Sequence, residues 1–193
     1  MTGVQTCALP ISTSQSAPTT DEALEKTAPL LISKVSPDKK YIELYNPTDS
    51  NVKLVGWKIE HYKADVKTGG KEFKNEVILA NDFLVISNDP ALTKAVKFDK
   101  VPNMIQGEGS VVLSRSDGSN ADVVGWGEAK KFLGAPVTGG AKTVWRCFAS
   151  GLIVDSKNNL ADFSSNKTAD DQEVAPYARP HCKANYQDRK SVV

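Results

Sequence analysis

The densest group of side chains that could bind a ligand lies in the segment 155–162. It offers four oxygen donors within a short stretch: Asp155, Asn158, Asn159 and Asp162. Carboxylate and amide oxygens are the ligands that calcium prefers in proteins. However, the spacing does not fit an EF-hand loop, because Lys157 stands where a ligand is needed and no glycine follows at the sharp turn. We therefore expect an Asx-rich turn beside a strand and no bound metal, with a calcium site as the alternative.

Two of the three cysteines could form a disulfide. Cys147 and Cys182 enclose a loop of intermediate length, whereas Cys7 lies near the start of the chain. An oxidising compartment favours such a bridge, and closing a loop of this size stabilises a fold by about 3–4 kcal/mol in the chain-entropy model. We predict this bridge, which would attach the segment 170–180 to the strand that carries Trp145. The alternative is two unpaired thiols, with Cys147 in the core.

No catalytic motif is recognisable in the sequence. The two histidines, His61 and His181, have no Cys or His at zinc-ligand spacing, so we expect both at the surface. Patterns such as HExxH, GxSxG, the Walker loop and GxGxxG are missing. The neighbours Asp170 and Asp171 are poorly placed for a catalytic dyad, and we expect Glu43 on a solvated sheet face. The sequence thus predicts a chain that is not an enzyme and needs no cofactor.

Composition and charge exclude several classes of protein. Hydrophobic residues make up 40% and charged residues 24%, as in folded domains. No stretch approaches the roughly 18 uninterrupted apolar residues of a membrane-spanning helix. The formal net charge of +1 argues against a strongly basic nucleic-acid binder. Acidic residues also alternate with the lysines of the first half, so we expect a solvated surface and no nucleic-acid partner. These lysines are Lys39, Lys40, Lys53, Lys58, Lys63, Lys67, Lys71 and Lys74.

Both ends of the chain resemble translated sequencing adapters. Residues 2–11 read TGVQTCALPI, and the last six residues read DRKSVV. We predict that residues 1–11 and 188–193 are adapter artefacts and that the chain is a fragment recovered from environmental DNA. A degraded export signal is the alternative for residues 1–11, although a basic leading region is missing there.

The remaining sequence divides into a linker, one domain and a tail. Residues 12–28 are rich in Ser, Thr, Pro and Ala, a composition typical of flexible linkers. In residues 29–165, short apolar or alternating runs are separated by turn signals, which predicts a β domain. Residues 166–187 are predicted to be an irregular C-terminal extension.

Eight or nine short strands are predicted within the β domain. They are Leu30–Val35, Tyr41–Tyr45, Val52–Glu60, Glu76–Leu79, Phe83–Ile86, Val111–Arg115, Asp122–Trp126, Thr143–Phe148 and Leu152–Val154. Val55, Trp57 and Ile59 should share one strand face, residues 81–82 should form a short connection between two strands, and residues 117–118 should form a hairpin. The one helical candidate is 90–96. Short strands with almost no helix predict an antiparallel sandwich or barrel.

The order of these strands resembles the lamin tail domain family. The run LLISKVSPDKKYIELYNPTDSNVKLVGWKI is similar to the family's opening, where a yIELyN strand, an Asn-Pro turn and a Leu-x-Gly-Trp strand follow one another. LANDFLVISND and VVLSRSDGSNADVVGWG resemble two further hairpins of the family. Segments 145–147 and 155–163 resemble the continuation found in bacterial versions, and the similarity is closest to proteins of candidate-phyla bacteria.

This resemblance implies an all-β, immunoglobulin-like antiparallel β-sandwich. The residues that carry it are expected to hold packing and turn positions: Tyr41, Glu43, Leu44, Asn46, Gly56, Trp57, Trp126 and Phe163. A glycine before a large ring also suggests a bulge or a close backbone approach that turns the ring into the core. We expect this at Gly56 and, in the same way, beside Trp126.

The resemblance also guides the functional expectation. Bacterial members of the family are mostly exported or surface proteins, sometimes fused to nucleases or other hydrolases. We expect a noncatalytic interaction module of an exported or cell-surface bacterial protein, monomeric in isolation, that binds a protein or glycan partner. The alternatives are an accessory domain of a nuclease or hydrolase, and a DNA-binding module.

Overall fold

The computed structural model of the chain describes residues 29–138, 142–166 and 176–180. Within these ranges the chain forms short strands and a single helical turn, α1 (Asn159–Asp162). The strands are β1 (Leu31–Ser36), β2 (Tyr41–Tyr45), β3 (Val52–Lys53), β4 (Lys58–Lys63), β5 (Val66–Glu72), β6 (Val77–Ile78), β7 (Phe83–Ser87), β8 (Glu108–Ser114), β9 (Asn120–Gly127), β10 (Thr143–Arg146), β11 (Phe148–Ala149), β12 (Leu152–Ile153) and β13 (Phe163–Asn166). No helix in this part of the chain is long and apolar enough to cross a membrane.

Two sheets form the layers of the molecule. The five-stranded sheet has the order β13-β10-β1-β2-β7, and the four-stranded sheet has the order β5-β4-β8-β9. Two short ribbons, β3-β6 and β11-β12, accompany them. All these strand pairs are antiparallel. The predicted all-β, immunoglobulin-like sandwich is confirmed.

The hydrophobic core draws its side chains from both sheets. The five-stranded sheet contributes Ile32, Val35, Ile42, Leu44, Ile86 and Val144. The four-stranded sheet contributes Ile59, Val111, Leu113, Val124 and Trp126. Trp57, immediately before β4, is fully buried in the same cluster, as predicted. Burial of each large apolar side chain stabilises the fold by about 1.5–3 kcal/mol.

A bulge in β1 keeps the apolar side chains of this strand on the core face. Ile32 and Val35 both lie in the core, although residues three positions apart in a regular strand point to opposite faces. The register against β2 shifts between Ile32 and Lys34, so that Ser33 is the extra residue that restores the alternation. As a result, Lys34 lies on the outer face of the five-stranded sheet.

The predicted strand 52–60 is interrupted by a tight turn. The Trp57 amide donates to the Leu54 carbonyl at 2.9 Å, and Gly56 adopts a φ of +76°, which favours glycine at the third position of such a turn. Val55 therefore sits at the turn and is 53% exposed. The expectation that Val55 shares a face with Trp57 was wrong, whereas the special backbone at Gly56 was expected.

Two other local predictions were wrong because strand pairing competes with local preference. Segment 90–96 forms two successive turns instead of a helix, and Val96 pairs beside β7 through amide–carbonyl bonds to Val85 and Ser87. The strands on either side of 81–82 do not pair with each other, because β6 pairs with β3 and β7 pairs with β2.

The hairpin around 117–118 was predicted correctly. It joins β8 to β9, and Gly118 has a φ of +84°. Beside Trp126 the structure has the expected close backbone approach without a bulge: Trp126 lies in continuous register opposite Gly109, and a Cβ on Gly125 would lie 2.9 Å from the Cβ of Ala129. A Cβ on Gly109 would lie 2.8 Å from Cη2 of this ring, so the missing side chain is what makes room for the indole.

Candidate functional site

The strongest concentration of charge inside the fold surrounds Arg146 on β10. This side chain is 1% exposed, and its guanidinium contacts three carboxylates. The distances from guanidinium nitrogen to oxygen are 2.6 Å for Asp122, 3.3 Å for Asp155 and 3.3 Å for Asp162. We call these four residues the Arg146 cluster. It brings together two of the predicted ligand residues, Asp155 and Asp162.

Backbone groups complete the surroundings of the two buried carboxylates. Asp122 accepts hydrogen bonds from the amides of Ile32 (2.8 Å) and Val123 (2.9 Å). Asp162 accepts from the amide and the hydroxyl of Ser156 at 2.9 and 2.6 Å. Burial raises the pKa of Asp122 above its ordinary value, while the guanidinium and the two amides act in the opposite direction. The carboxylates are therefore held by donors on several sides.

The cluster links the two layers of the sandwich. Arg146 belongs to the five-stranded sheet, whereas Asp122 belongs to β9 of the four-stranded sheet. Arg146 Nε also donates to the Ile32 carbonyl at 3.1 Å, and the guanidinium carbon lies 4.4 Å from the centre of the Phe163 ring. Removing one member of a buried ion pair typically costs 3–5 kcal/mol, because the other charge is left without compensation. The Arg146 cluster therefore connects the two sheets inside the fold.

The two asparagines of the predicted ligand group lie outside this cluster of charges. Asn158 is the N-cap of α1, and its side-chain oxygen accepts from the amides of Leu160 and Ala135, both at 3.2 Å. Asn159 is fully buried and uses both ends of its amide to hold β9 and the loop after it. Its partners are the Gly125 amide (2.9 Å), the Leu133 amide (3.1 Å) and the Val123 carbonyl (2.9 Å).

The oxygens that suggested calcium thus face nitrogen donors and a guanidinium. In the ranges that the structure describes, no group of three or more His, Cys, Asp or Glu side chains is arranged to hold a metal ion. The pairing of Arg146 with Asp122 was not predicted from the sequence. The available signal was a single charge within each of two apolar runs, 143–148 and 122–126, since a charge buried in a strand needs a partner.

The structural residues expected from the resemblance occupy turns and the interior. Asn46 is fully buried at the corner after β2. Its amide nitrogen donates to the carbonyls of Ser50 (2.8 Å) and Leu79 (2.9 Å), and its oxygen accepts from the Thr48 amide at 3.0 Å. Phe163 is 5% exposed and belongs to the core cluster.

A second charged pair is buried on the outer face of the five-stranded sheet. Lys34 is 1% exposed and Glu43 is 0% exposed, and their charged groups are 3.2 Å apart. Ser33 also donates to the Glu43 carboxylate at 2.8 Å. Burial lowers the pKa of Lys34 below its ordinary value, although Glu43 favours the charged form. The expectation of a solvated sheet face around Glu43 was wrong, because other parts of the chain cover this carboxylate.

Residues 176–180, which we call the C-terminal strap, lie against this outer face. The Tyr177 amide donates to the second carboxylate oxygen of Glu43 at 2.5 Å. The Pro180 carbonyl accepts from the Phe148 amide at 3.0 Å. Arg179 donates to the Asn81 carbonyl at 2.9 Å. The strap therefore crosses the sheet on backbone hydrogen bonds at both of its ends.

Three aromatic rings receive the side chain of Arg179. Tyr45, Phe83 and Phe148 form one group, with ring centres 4.7 to 6.4 Å apart. We call this group the aromatic platform. The guanidinium carbon of Arg179 lies 5.5 Å from the Tyr45 ring centre and 5.8 Å from each of the other two. These distances are within the range of cation–π attraction.

His61 is buried beside Trp126, and the expectation of a surface position was wrong. The ring is 0% exposed, its Nδ1 lies 2.5 Å from the Thr68 hydroxyl, and its centre lies 5.8 Å from that of the indole. Its Nε2 has no hydrogen-bond partner among the described residues. Burial, together with the charge of Lys40, lowers the pKa of His61 to about 4. His181 lies outside the described residues.

Several lysines of the first half form ion pairs on the surface of the four-stranded sheet. Lys71 contacts both Glu76 and Asp99 at 3.2 Å. Two further pairs are Lys58–Glu72 and Lys67–Glu60. Acidic groups thus neutralise part of the basic surface that suggested nucleic-acid binding.

Cys147 follows β10 and is 7% exposed. Its predicted partner, Cys182, lies outside the described residues. The hydrogen bond between Phe148 and Pro180 brings the chain two residues before Cys182 next to the residue after Cys147. This geometry is compatible with the predicted bridge, which stays a prediction.

Comparison with known families gives one match. The family model described as the Lamin Tail Domain matches residues 24–128, more than half of the chain. The matched segment runs through β9 and so includes Asp122, but it ends before Arg146. No curated protein matches the chain.

Proposed function

Because the chain belongs to the lamin tail domain family, we propose that it is a noncatalytic interaction module that binds a protein or glycan partner. The observation that carries this proposal is the Arg146 cluster. Its buried carboxylates are the most concentrated acidic groups of the described fold, and a guanidinium and backbone amides already occupy them. Carboxylates held in this way have no free geometry for general-base or metal chemistry. We therefore expect the chain to act through binding at its surface.

The proposal includes an exported or cell-surface location in a bacterium. It is supported by the hydrogen bond between Phe148 and Pro180, which brings the chain two residues before Cys182 next to the residue after Cys147. This proximity favours a disulfide, a bond that persists in oxidising compartments.

This location predicts that the two thiols are bonded when the chain is produced in an oxidising compartment. Intact mass under non-reducing conditions should be lower by two hydrogen atoms than after reduction, and the Cys182→Ser variant should lose this difference. A Cys7→Ser variant is the control and should retain it. Two free thiols in the unsubstituted chain would contradict the prediction.

Binding is tested with the full chain immobilised and exposed in parallel to a glycan array, to bacterial surface proteins and to duplex DNA. We expect saturable binding to a protein or a glycan at physiological salt. Binding to DNA should disappear there, because few phosphates are neutralised by a surface of mixed charge. DNA binding that persists at physiological salt, without a protein or glycan partner, would overturn the proposal.

A further inference from the structure

The outer face of the five-stranded sheet has the chemistry of a peptide-binding site. Glu43 presents a carboxylate oxygen to a backbone amide, and Phe148 presents an amide to a backbone carbonyl. Between them, the aromatic platform and the Asn81 carbonyl surround a guanidinium. In the strap, a turn at 176–177 presents the Tyr177 amide, the arginine lies two residues after this amide, and the bound carbonyl belongs to the next residue.

The receptor side of this contact is built into the fold. Glu43 is fixed by Lys34 and Ser33 and is fully buried, and Tyr45 and Phe148 are 4% and 3% exposed. Phe83 is half-buried at the open side of the platform. Rigid, preorganised groups of this kind reduce the entropy cost of binding a peptide.

The described contacts of the strap are concentrated at its two ends and at Arg179. Tyr177 is 41% exposed, and Arg179 is also exposed while its guanidinium covers the rings. These contacts include one backbone hydrogen bond at each end and one cationic side chain. The predicted Cys147–Cys182 bridge would keep the strap close to this face, so an equivalent segment of another molecule has to displace Tyr177 and Arg179 locally.

We propose that the aromatic platform and Glu43 form a binding site for an arginine-bearing peptide of a partner protein, and that the C-terminal strap occupies this site as an intramolecular competitor. The inference rests on the proposed function and names the partner chemistry. A segment of the same chain competes at a high effective concentration, because its binding is intramolecular. A partner peptide must therefore bind this site more tightly than the strap does, or bind it when the contacts of the strap are weakened.

The test uses the full chain and a labelled, end-blocked peptide with the sequence of residues 175–181, Ala-Pro-Tyr-Ala-Arg-Pro-His. The control peptide carries citrulline, which has the shape of arginine without its charge. Fluorescence anisotropy measures binding of each peptide to the unsubstituted chain and to the Arg179→Gln variant. Weakening the strap should tighten binding of the arginine peptide by about tenfold, since a cation–π contact of this kind is worth about one such factor. The citrulline peptide should bind about tenfold more weakly.

A second pair of variants locates the site. In the Arg179→Gln background, Phe83→Leu should weaken peptide binding, whereas Phe132→Leu should not, because Phe132 is an exposed ring next to the other sheet. Cooperative thermal unfolding of each variant checks that it is folded. Equal affinities for the two peptides, equal effects of the two phenylalanine variants, or no binding at millimolar peptide would overturn the inference.

These results are separable from the test of the proposed function. Failure of the peptide to bind, together with a protein or glycan partner found in the parallel screen, would remove the arginine site and leave the interaction module in place. Peptide binding with the expected pattern would support the site whatever the screen finds.

Discussion

Individual polar residues inside this fold are placed by burial and by their hydrogen bonds. His61 is the clearest case: it was expected at the surface, although strand alternation places it on the same face as the core residue Ile59. It lies beside Trp126, and Gly109 leaves the space that both rings occupy. Its pKa is lowered to about 4 because burial penalises the charged ring and Lys40 adds repulsion.

His61 predicts that the chain loses stability in mild acid. Between its ordinary pKa of 6.5 and its folded value of about 4, the unfolded chain takes up a proton that the folded chain does not. The contribution of His61 to the free energy of unfolding is therefore fully present above about pH 6.5. It is lost as the pH approaches 4, which lowers the free energy of unfolding by about 3 kcal/mol. Urea unfolding at several pH values between about 7 and 5 measures this slope.

The matched variants are His61→Gln and His181→Gln. The first should flatten the pH dependence in this window, and the second should leave it unchanged. Carboxylates with lowered pKa values, such as Glu60 and Asp99, lose their contribution only at lower pH, so they do not mask the effect. A slope that survives His61→Gln would contradict the assignment.

Among the elements, the helical turn α1 connects the loop after β9 to the rest of the sandwich through hydrogen bonds. Asn158 and Asn159 make different hydrogen bonds there. The Asn158 side-chain oxygen accepts two hydrogen bonds, whereas the Asn159 side chain accepts two and donates one to the Val123 carbonyl. This difference makes the pair a sensitive probe of the local structure.

Changing each asparagine to aspartate should give opposite outcomes. Asn159→Asp replaces the donor with an acceptor that faces the Val123 carbonyl in a buried position, and it should lower the free energy of unfolding by about 2–3 kcal/mol. Asn158→Asp keeps the acceptor at the N-cap and should change stability by less than about 0.5 kcal/mol. Chemical denaturation of both variants checks this, and equal effects would contradict the hydrogen-bond assignment.

Some of the strands and turns could be predicted from the sequence, and others could not. Alternation and turn chemistry located the 117–118 hairpin, and motif order identified the family and the sandwich. Pairing partners were less accessible, because β6 and β7 are neighbours in sequence yet pair with β3 and β2. The bulge at Ser33 was also missed, since only register against β2 reveals it.

Side-chain pairs across the two layers were the least predictable part of the site. The four oxygen donors of 155–162 were visible, but the sequence did not reveal that a guanidinium from β10 lies between two of them. Glu43 was predicted on a solvated face, but residues 176–180, which are distant in sequence, cover it. Long-range partners of this kind depend on topology rather than on local pattern.

For the molecule as a whole, the Arg146 cluster connects the layers while the strap covers part of one outer face. Arg146 and Asp122 come from different sheets, and Asp122 also receives the Ile32 amide of β1. Three strands thus meet at one buried charge pair. We infer that these carboxylates stabilise the fold and do not bind a metal ion or a substrate.

Thermal unfolding in excess calcium and in a chelator, for the unsubstituted chain and for Asp155→Ala, tests this claim most directly. Because Arg146, Lys157 and Ser156 already occupy the acidic oxygens, we predict the same midpoint in both conditions. Asp155→Ala should then shift both midpoints equally. A rise in the midpoint with calcium that Asp155→Ala abolishes would show an ion site and contradict the account.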